Sequence, residues 1–273
     1  MINAAAGASG SFDQTKPDFD RLRALTAADI RTIFAAPQID RAWSSYEPIL
    51  AELCQIEDLK TGGVNPGDRR ALFYLISGLR AKGVLEIGTN VGASTIHIAA
   101  ALNENAEAGA SRLVTVDILE VNDSATAPWR VAGLPLSPRQ RSDRLKGRAE
   151  TKFITKASQD FLAHTGEMFD CIFLDGDHSE EAVFAELIYA SRRLDPGGVI
   201  ILHDFFPDQR PLWPEGWVCH GPFAATQRLC ALGAAIEVLP LGPLPWPTKL
   251  NSNVTSLAVV VKPAGRSSKS ARP

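Results

Sequence analysis

Gly83-Val84-Leu85-Glu86-Ile87-Gly88-Thr89-Asn90-Val91-Gly92-Ala93-Ser94 is the stretch that decides how this chain is read. The run into Gly88 predicts a strand, and residues 93–102 predict a helix. Glycines between a strand and a helix let backbone approach a ligand closely at the carboxyl edge of a sheet, where α/β folds bind cofactors. The same spacing also serves close helix–strand packing, so its neighbours must decide. A nicotinamide fingerprint wants glycine at position 90, and Asn90 stands there, which disfavours a dinucleotide pyrophosphate site. Asp117 ends the next strand, where it can accept hydrogen bonds from ribose hydroxyls. Glu86, Ser94 and Asp117 around the two glycines read together as a nucleoside site.

Outward from this stretch, short apolar runs alternate with helical ones. Strands are expected at 83–88, 112–118, 152–157, 169–174, 198–203, 235–239 and 255–262, and helices at 68–82, 93–102 and 179–194. The alternation predicts an α/β fold: a doubly wound, mostly parallel, seven-stranded sheet of Rossmann-like type. The last two strands are too close for a crossover helix and should form an antiparallel edge. Over 19–59 apolar residues recur at helical spacing, which predicts two or three helices broken near Pro37 and Pro48. Residues 20–82 are read as a helical N-terminal cap and 83–263 as the sheet domain. The segments 1–19 and 264–273, poor in apolar surface, are expected to be mobile tails.

Composition narrows the function classes. The 273 residues suit one large domain or two small ones, with 45% hydrophobic and 22% charged residues. A net charge of -3 speaks against a polyanion-coating surface, so no nucleic-acid partner is expected. No 18-residue apolar run predicts a membrane span. Residues 1–14 lack the basic start and long apolar core of a signal peptide, so a cytoplasmic location is expected. Cys54, Cys171, Cys219 and Cys230 are scattered, with neither disulfide nor zinc spacing.

The run 84–94 resembles the first motif of class I S-adenosylmethionine-dependent methyltransferases. Other segments resemble the small-molecule O-methyltransferases of the catechol, caffeoyl-CoA and bacterial sugar or antibiotic types. These are Gly63-Val64-Asn65-Pro66 before a helix, Ala157-Ser158-Gln159-Asp160 after the third strand, Phe173-Leu174-Asp175-Gly176-Asp177-His178, and Leu202-His203-Asp204. The likeness covers roughly residues 62–204 and keeps the family's motif order. It implies that 83–263 binds S-adenosyl-L-methionine. Glu86 and Gly88, with Asn90 and Gly92 in the same loop, would line the methionine part, and Ser94 would hold the carboxylate. Asp117 would hold the ribose, Ser158 and Gln159 the adenine, and Gly63 and Val64 would close over from the cap. Asp175 would sit at the junction of cofactor and chemistry.

Asp175, Asp177, His178, His203 and Asp204 gather at the ends of the fourth and fifth strands, more titratable groups than packing accounts for. In the metal-dependent relatives an Asp and an Asp-Asn pair bind the ion. Asp175 and Asp204 match, but Phe205 fills the Asn slot and cannot coordinate. Mg²⁺ or another divalent cation held by Asp175, Asp204 and His203 is one reading, and a metal-free site is the other. His178 stands three positions after Asp175, where the resemblance places a base. A histidine there can take the proton of an attacking hydroxyl. His203 and His220 are the other candidate bases.

Trp213, Trp217 and Trp246, in proline-rich loops, either wall an acceptor pocket or anchor the loops. The basic run 130–156 reads as a solvated helix face, with an anionic acceptor as the alternative. The leading expectation is O-methylation of a small hydroxylated molecule. A metal-independent N-methyltransferase and a catalytically inactive S-adenosylmethionine-binding protein are the alternatives, with a nicotinamide dehydrogenase behind them. The apolar cap can cover the site or pack on a second subunit, which admits a homodimer.

Overall fold

A computed structural model describes residues 17–54, 63–106, 111–125 and 127–263. Both proposed tails fall outside these residues, except for 17–19. The seven expected strands are present: β1 (Gly83–Ile87), β2 (Arg112–Asp117), β3 (Glu150–Thr155), β4 (Phe169–Leu174), β5 (Leu194–Leu202), β6 (Glu237–Pro240) and β7 (Ala258–Val261). They form one sheet in the order β3-β2-β1-β4-β5-β7-β6. The first five run parallel, and β7 is antiparallel to both β5 and β6. The order reverses at β1, with β2 on one side and β4 on the other. The carboxyl ends of β1, β2 and β4 therefore open onto one crevice, the switch point of a doubly wound sheet.

The helices are α1 (Ala27–Phe34), α2 (Pro37–Leu53), α3 (Pro66–Leu79), α4 (Ala93–Asn105), α5 (Pro128–Val131), α6 (Pro138–Leu145), α7 (Ser158–His164), α8 (Glu180–Ser191) and α9 (Gly221–Ala231). Pro48 does not break the cap but lies inside α2. Proline there removes a bond to the Ser44 carbonyl, and both residues are exposed, so water replaces it. Helices α5 and α9 lie in segments where the spacing predicts none, and α6 lies within the basic run 130–156. Helix α5 has four residues, α6 starts on Pro138 and α9 carries Pro222 at its second position, and their burial is decided by tertiary packing.

Two apolar layers sandwich the sheet. On one face the cap, α3 and α4 pack through Trp43, Phe73, Leu75, Ile98 and Val199. On the other, α7, α8 and α9 pack through Leu162, Val183, Leu187, Ile200 and Ala225. The cap is tied to the sheet by main chain as well. The Arg23 N–H donates to Gly198 O at 2.8 Å, and the Lys262 N–H donates to Arg23 O at 3.0 Å. Among the described residues no helix is long and apolar enough to cross a membrane.

Candidate functional site

The strand-end crevice is a cleft of about 830 Å³, inside the range of small-molecule sites. Its walls bring together most of the residues singled out in the sequence: Gly63, Val64, Gly88, Asn90, Ser94, Asp117, Ser158, Gln159, Asp175 and His178.

Gly88 has φ +94, a region closed to most side chains, and a Cβ there would run into the Asp175 carbonyl. The glycine is therefore required by the β4 end, whatever occupies the cleft. Asn90 (φ +46) continues the turn, and its N–H donates to Asp117 Oδ2 at 2.8 Å. The Leu119 N–H donates to Asp117 Oδ1 at 2.9 Å. One main-chain donor on each oxygen fixes the carboxylate and leaves lone pairs for a diol.

Two expected wall residues are elsewhere. Gly92 caps α4 at φ +75 with its open face against Pro138, and it does not line the cleft. Glu86 is fully buried beneath the cleft, where Ser94, Thr95 and Thr115 hydroxyls donate to it at 2.5, 2.6 and 2.6 Å. Thr115 spends its proton on Glu86, so Thr89 supplies the donor in the 2.6 Å Thr89–Thr115 pair. Glu86 thus pins β1, β2 and α4 together, and the reason it misses the wall is that its strand position points beneath α4. Ser94 does reach the cleft, but its hydroxyl proton is committed to Glu86.

Burial pushes the Glu86 carboxyl up to about 7, against the lowering effect of the three hydroxyls. A carboxyl raised on folding stabilises fully below its unfolded value near 4.5, and that contribution is lost as pH rises through 7. Glu86→Gln should therefore flatten the pH dependence. Between pH 5 and 8 the wild type should lose about 2–3 kcal/mol more than the variant in urea unfolding. Equal slopes would mean that Glu86 is ionised throughout.

At the other end of the cleft His178 Nε2 lies 3.7 Å from Asp175 Oδ1 and 3.6 Å from Asp204 Oδ2. Asp204 has φ +50 and accepts from Ser256 Oγ at 3.2 Å. His203 is mostly buried behind them. Its Nδ1 is 2.9 Å from Asp175 Oδ1 and 3.5 Å from Asp204 Oδ1, at ion-pair distance, and its Nε2 meets Asp68 Oδ2 at 3.3 Å. Burial alone would lower its pKa, but the Asp175 and Asp204 carboxylates outweigh that and hold it well above the ordinary histidine range. Asp68, fully buried at the start of α3, is a partner the sequence did not reveal, since an acid there reads as a helix-start residue.

This geometry corrects the proposed ligand set Asp175, Asp204 and His203. Both ring nitrogens of His203 lie at ion-pair distance from carboxylates, and these hold the ring in its cationic form, which has no lone pair for an ion. Phe205 turns into the core against Phe223, with ring centroids 5.7 Å apart. Among the described residues no three His, Cys, Asp or Glu side chains are disposed to hold a metal. The donor set therefore does not fit a divalent cation.

Other candidates leave the cleft too. His220 pairs with Gln209 Oε1 at 3.0 Å on the surface, and it does not line the cleft. Trp246 is buried in the cap, donating from Nε1 to Gly67 O at 2.9 Å. Trp213 is buried against Phe206 and Lys249, and of the three only Trp217 is exposed. Asp177 lines the cleft and accepts from the Ser179 N–H, while the Ser179 side chain caps α8. The basic run is not one solvated face, because Arg141 is buried and donates to the Val91 carbonyl.

The family described as "Methyltransferase domain" matches residues 85–205, from mid-β1 to just past β5. A protein of Mycobacterium sp. strain JLS, provisionally named an O-methyltransferase, is 28% identical over 148 residues, 54% of this chain and 59% of that protein. This chain thus spans less than two thirds of the curated relative it matches. An O-methyltransferase from Bacillus cereus, solved in complex with SAH, superposes with a TM-score of 0.50 at 23% identity, covering 79% of this chain and 91% of that one. The SAH-bound methyltransferase PaMTH1 of Podospora anserina gives 0.52 at 15%, covering 83% and 96%. At these identities the two structures speak to the fold. Residues 85–205 of this chain are thus similar to methyltransferase domains, and the sheet order and switch-point cleft agree with that likeness.

Proposed function

We propose that the chain is an S-adenosylmethionine-dependent O-methyltransferase for a small hydroxylated molecule. The observation that carries this reading is a single cleft with a fixed Asp117 at one end and His178, set between Asp175 and Asp204, at the other. Asp117 would hold the ribose diol, Ser158 and Gln159 the base, and Gly63, Val64 and Gly88 the amino-acid end. The bound sulfonium supplies an electrophilic methyl group. His178 Nε2 takes the proton of the acceptor hydroxyl as its oxygen bonds to the methyl carbon, and the carbon–sulfur bond breaks with its electron pair going to sulfur. Asp175 and Asp204 orient the imidazole and stabilise the charge it gains. His203, already cationic, balances the carboxylates from behind, so the reading calls for no divalent ion. Much of the rate would come from holding oxygen, carbon and sulfur in line.

Calorimetric titration with S-adenosylhomocysteine, in EDTA, tests the reading. The wild type should bind at micromolar level, and Asp117→Ala should weaken binding by about 10–100-fold, the loss of charge-assisted bonds to a diol. No binding by the wild type would overturn it, and NAD would be the next ligand.

A further inference from the structure

The first turns of α2 and the last turns of α3 and α4 line a second cavity, of about 480 Å³, with Ile39 and Ala42 as its apolar part. Lys82, on its wall, stands immediately before β1. The cavity therefore lies at the amino end of that five-residue strand and the cleft at its carboxyl end, about 15 Å apart. Ser77, also on the wall, is 8% exposed, and its Oγ has no hydrogen-bond partner among the described residues. A buried hydroxyl left in that state is destabilising, and a ligand in the cavity can relieve it. Helix α2 starts on Pro37 after Ala36, so no side chain caps its first turn, where the helix dipole is positive. Asp40, the acid of that turn, is turned to Tyr74 Oη at 2.6 Å and Arg70 at 3.2 Å, and it does not line the cavity. Arg80 and Lys82 do line it, both exposed and neither ion-paired among the described residues.

Two cations, an uncapped helix start and a hydroxyl donor together suit one doubly charged oxyanion. Other wall groups accept instead. Both Asn105 Nδ2 hydrogens go to main chain, to Ile76 O and Ala81 O at 2.9 Å each, so Oδ1 is the end left for a ligand. Glu104, exposed on the wall, repels a second acidic group and accepts from a hydroxyl. We propose that this cavity is a second ligand site, apart from the cleft, for a phosphomonoester with a hydroxylated and otherwise uncharged body, a sugar phosphate by class. A carboxylate brings one charge and two oxygens to the same donors and is the poorer match. The inference does not depend on the reading of the cleft.

Calorimetric titration of the full chain at low ionic strength, where exposed charges are least screened, tests the site. The probe is glucose-6-phosphate, with glucose and gluconate as its uncharged and carboxylate counterparts. It should bind about tenfold or more tighter than gluconate, and glucose should give no heat. Arg80→Gln combined with Lys82→Gln should weaken it by about 10–100-fold, and Ser77→Ala by about 3–10-fold. Both cations are exposed, so the double variant should fold, and thermal melts report that. The same melts should show glucose-6-phosphate raising the midpoint of the wild type and not of the double variant. Excess S-adenosylhomocysteine should leave the titration unchanged, and displacement by it would put the phosphate in the cleft and overturn the inference. No heat with glucose-6-phosphate overturns it, as does equal binding of gluconate. A double variant that binds like the wild type overturns it too.

Discussion

Gly88→Ala should destabilise the protein by about 2–5 kcal/mol, a large share of the 5–15 kcal/mol that holds a typical domain folded. At φ +94 an alanine is strained by roughly 1–2 kcal/mol before any contact is considered. Its Cβ would also meet the Asp175 carbonyl oxygen and lie 2.6 Å from the carbonyl carbon and 3.0 Å from Gly176 N. Those are main-chain atoms at a strand end and cannot swing aside, so overpacking adds about 1–3 kcal/mol. Gly133, at φ +71 with nothing within 4 Å, is the control. Alanine there should cost only the strain. Urea unfolding of the two variants separates the terms, and equal losses would mean that β1 and β4 part easily. On the proposed mechanism any shift at Asp175, whose Oδ1 lies 3.7 Å from His178 Nε2, should also lower turnover.

His178→Gln should reduce turnover by about 10²–10⁴-fold, the usual worth of a positioned general base. Affinity for S-adenosylhomocysteine should stay within about twofold, because a reacting base contributes to the transition state and not to the bound product. The site supports that separation. His178 is one-third exposed at the cleft, while its main chain is locked by packing: a Cβ on Gly221 would collide with the His178 carbonyl. The measurement is release of S-adenosylhomocysteine with any hydroxylated acceptor the wild type turns over. A glutamine variant of undiminished rate would mean that another group takes the proton or that the acceptor arrives ionised.

The sheet was legible because buried parallel strands are written as short continuous apolar runs, and 83–88, 169–174 and 198–203 stand out from their surroundings. The cleft followed, since a switch point fixes which strand ends meet. Single side chains were harder. Glu86 and Asp117 point to the same face of the sheet, since Glu86 pairs with Thr115 and Asp117 stands two residues further on, yet Glu86 lies within its strand beneath α4 while Asp117 ends its strand at the cleft, a difference of depth along the strand. Arg141 left no signal, because one arginine in a basic run is like the next until α6 packs it under Val91. His203 was read as a ligand on spacing alone. Only the approach of Asp68, from 135 positions away, shows that its second nitrogen also faces a carboxylate.

Trp246 belongs to a late loop yet sits inside the cap. Its ring centroid is 4.6 Å from that of Tyr74 and its face 4.4 Å from the Arg70 guanidinium, while Gly67 admits no side chain beside Pro247 and Thr248. The cap is therefore not a detachable module. A chimera that borrows residues 20–82 from a relative to change acceptor preference would keep this indole and lose the slot in which it docks. Grafting must carry the two stretches together, and a mutational library over the cap alone explores a surface whose far side is held constant by residues almost two hundred positions downstream.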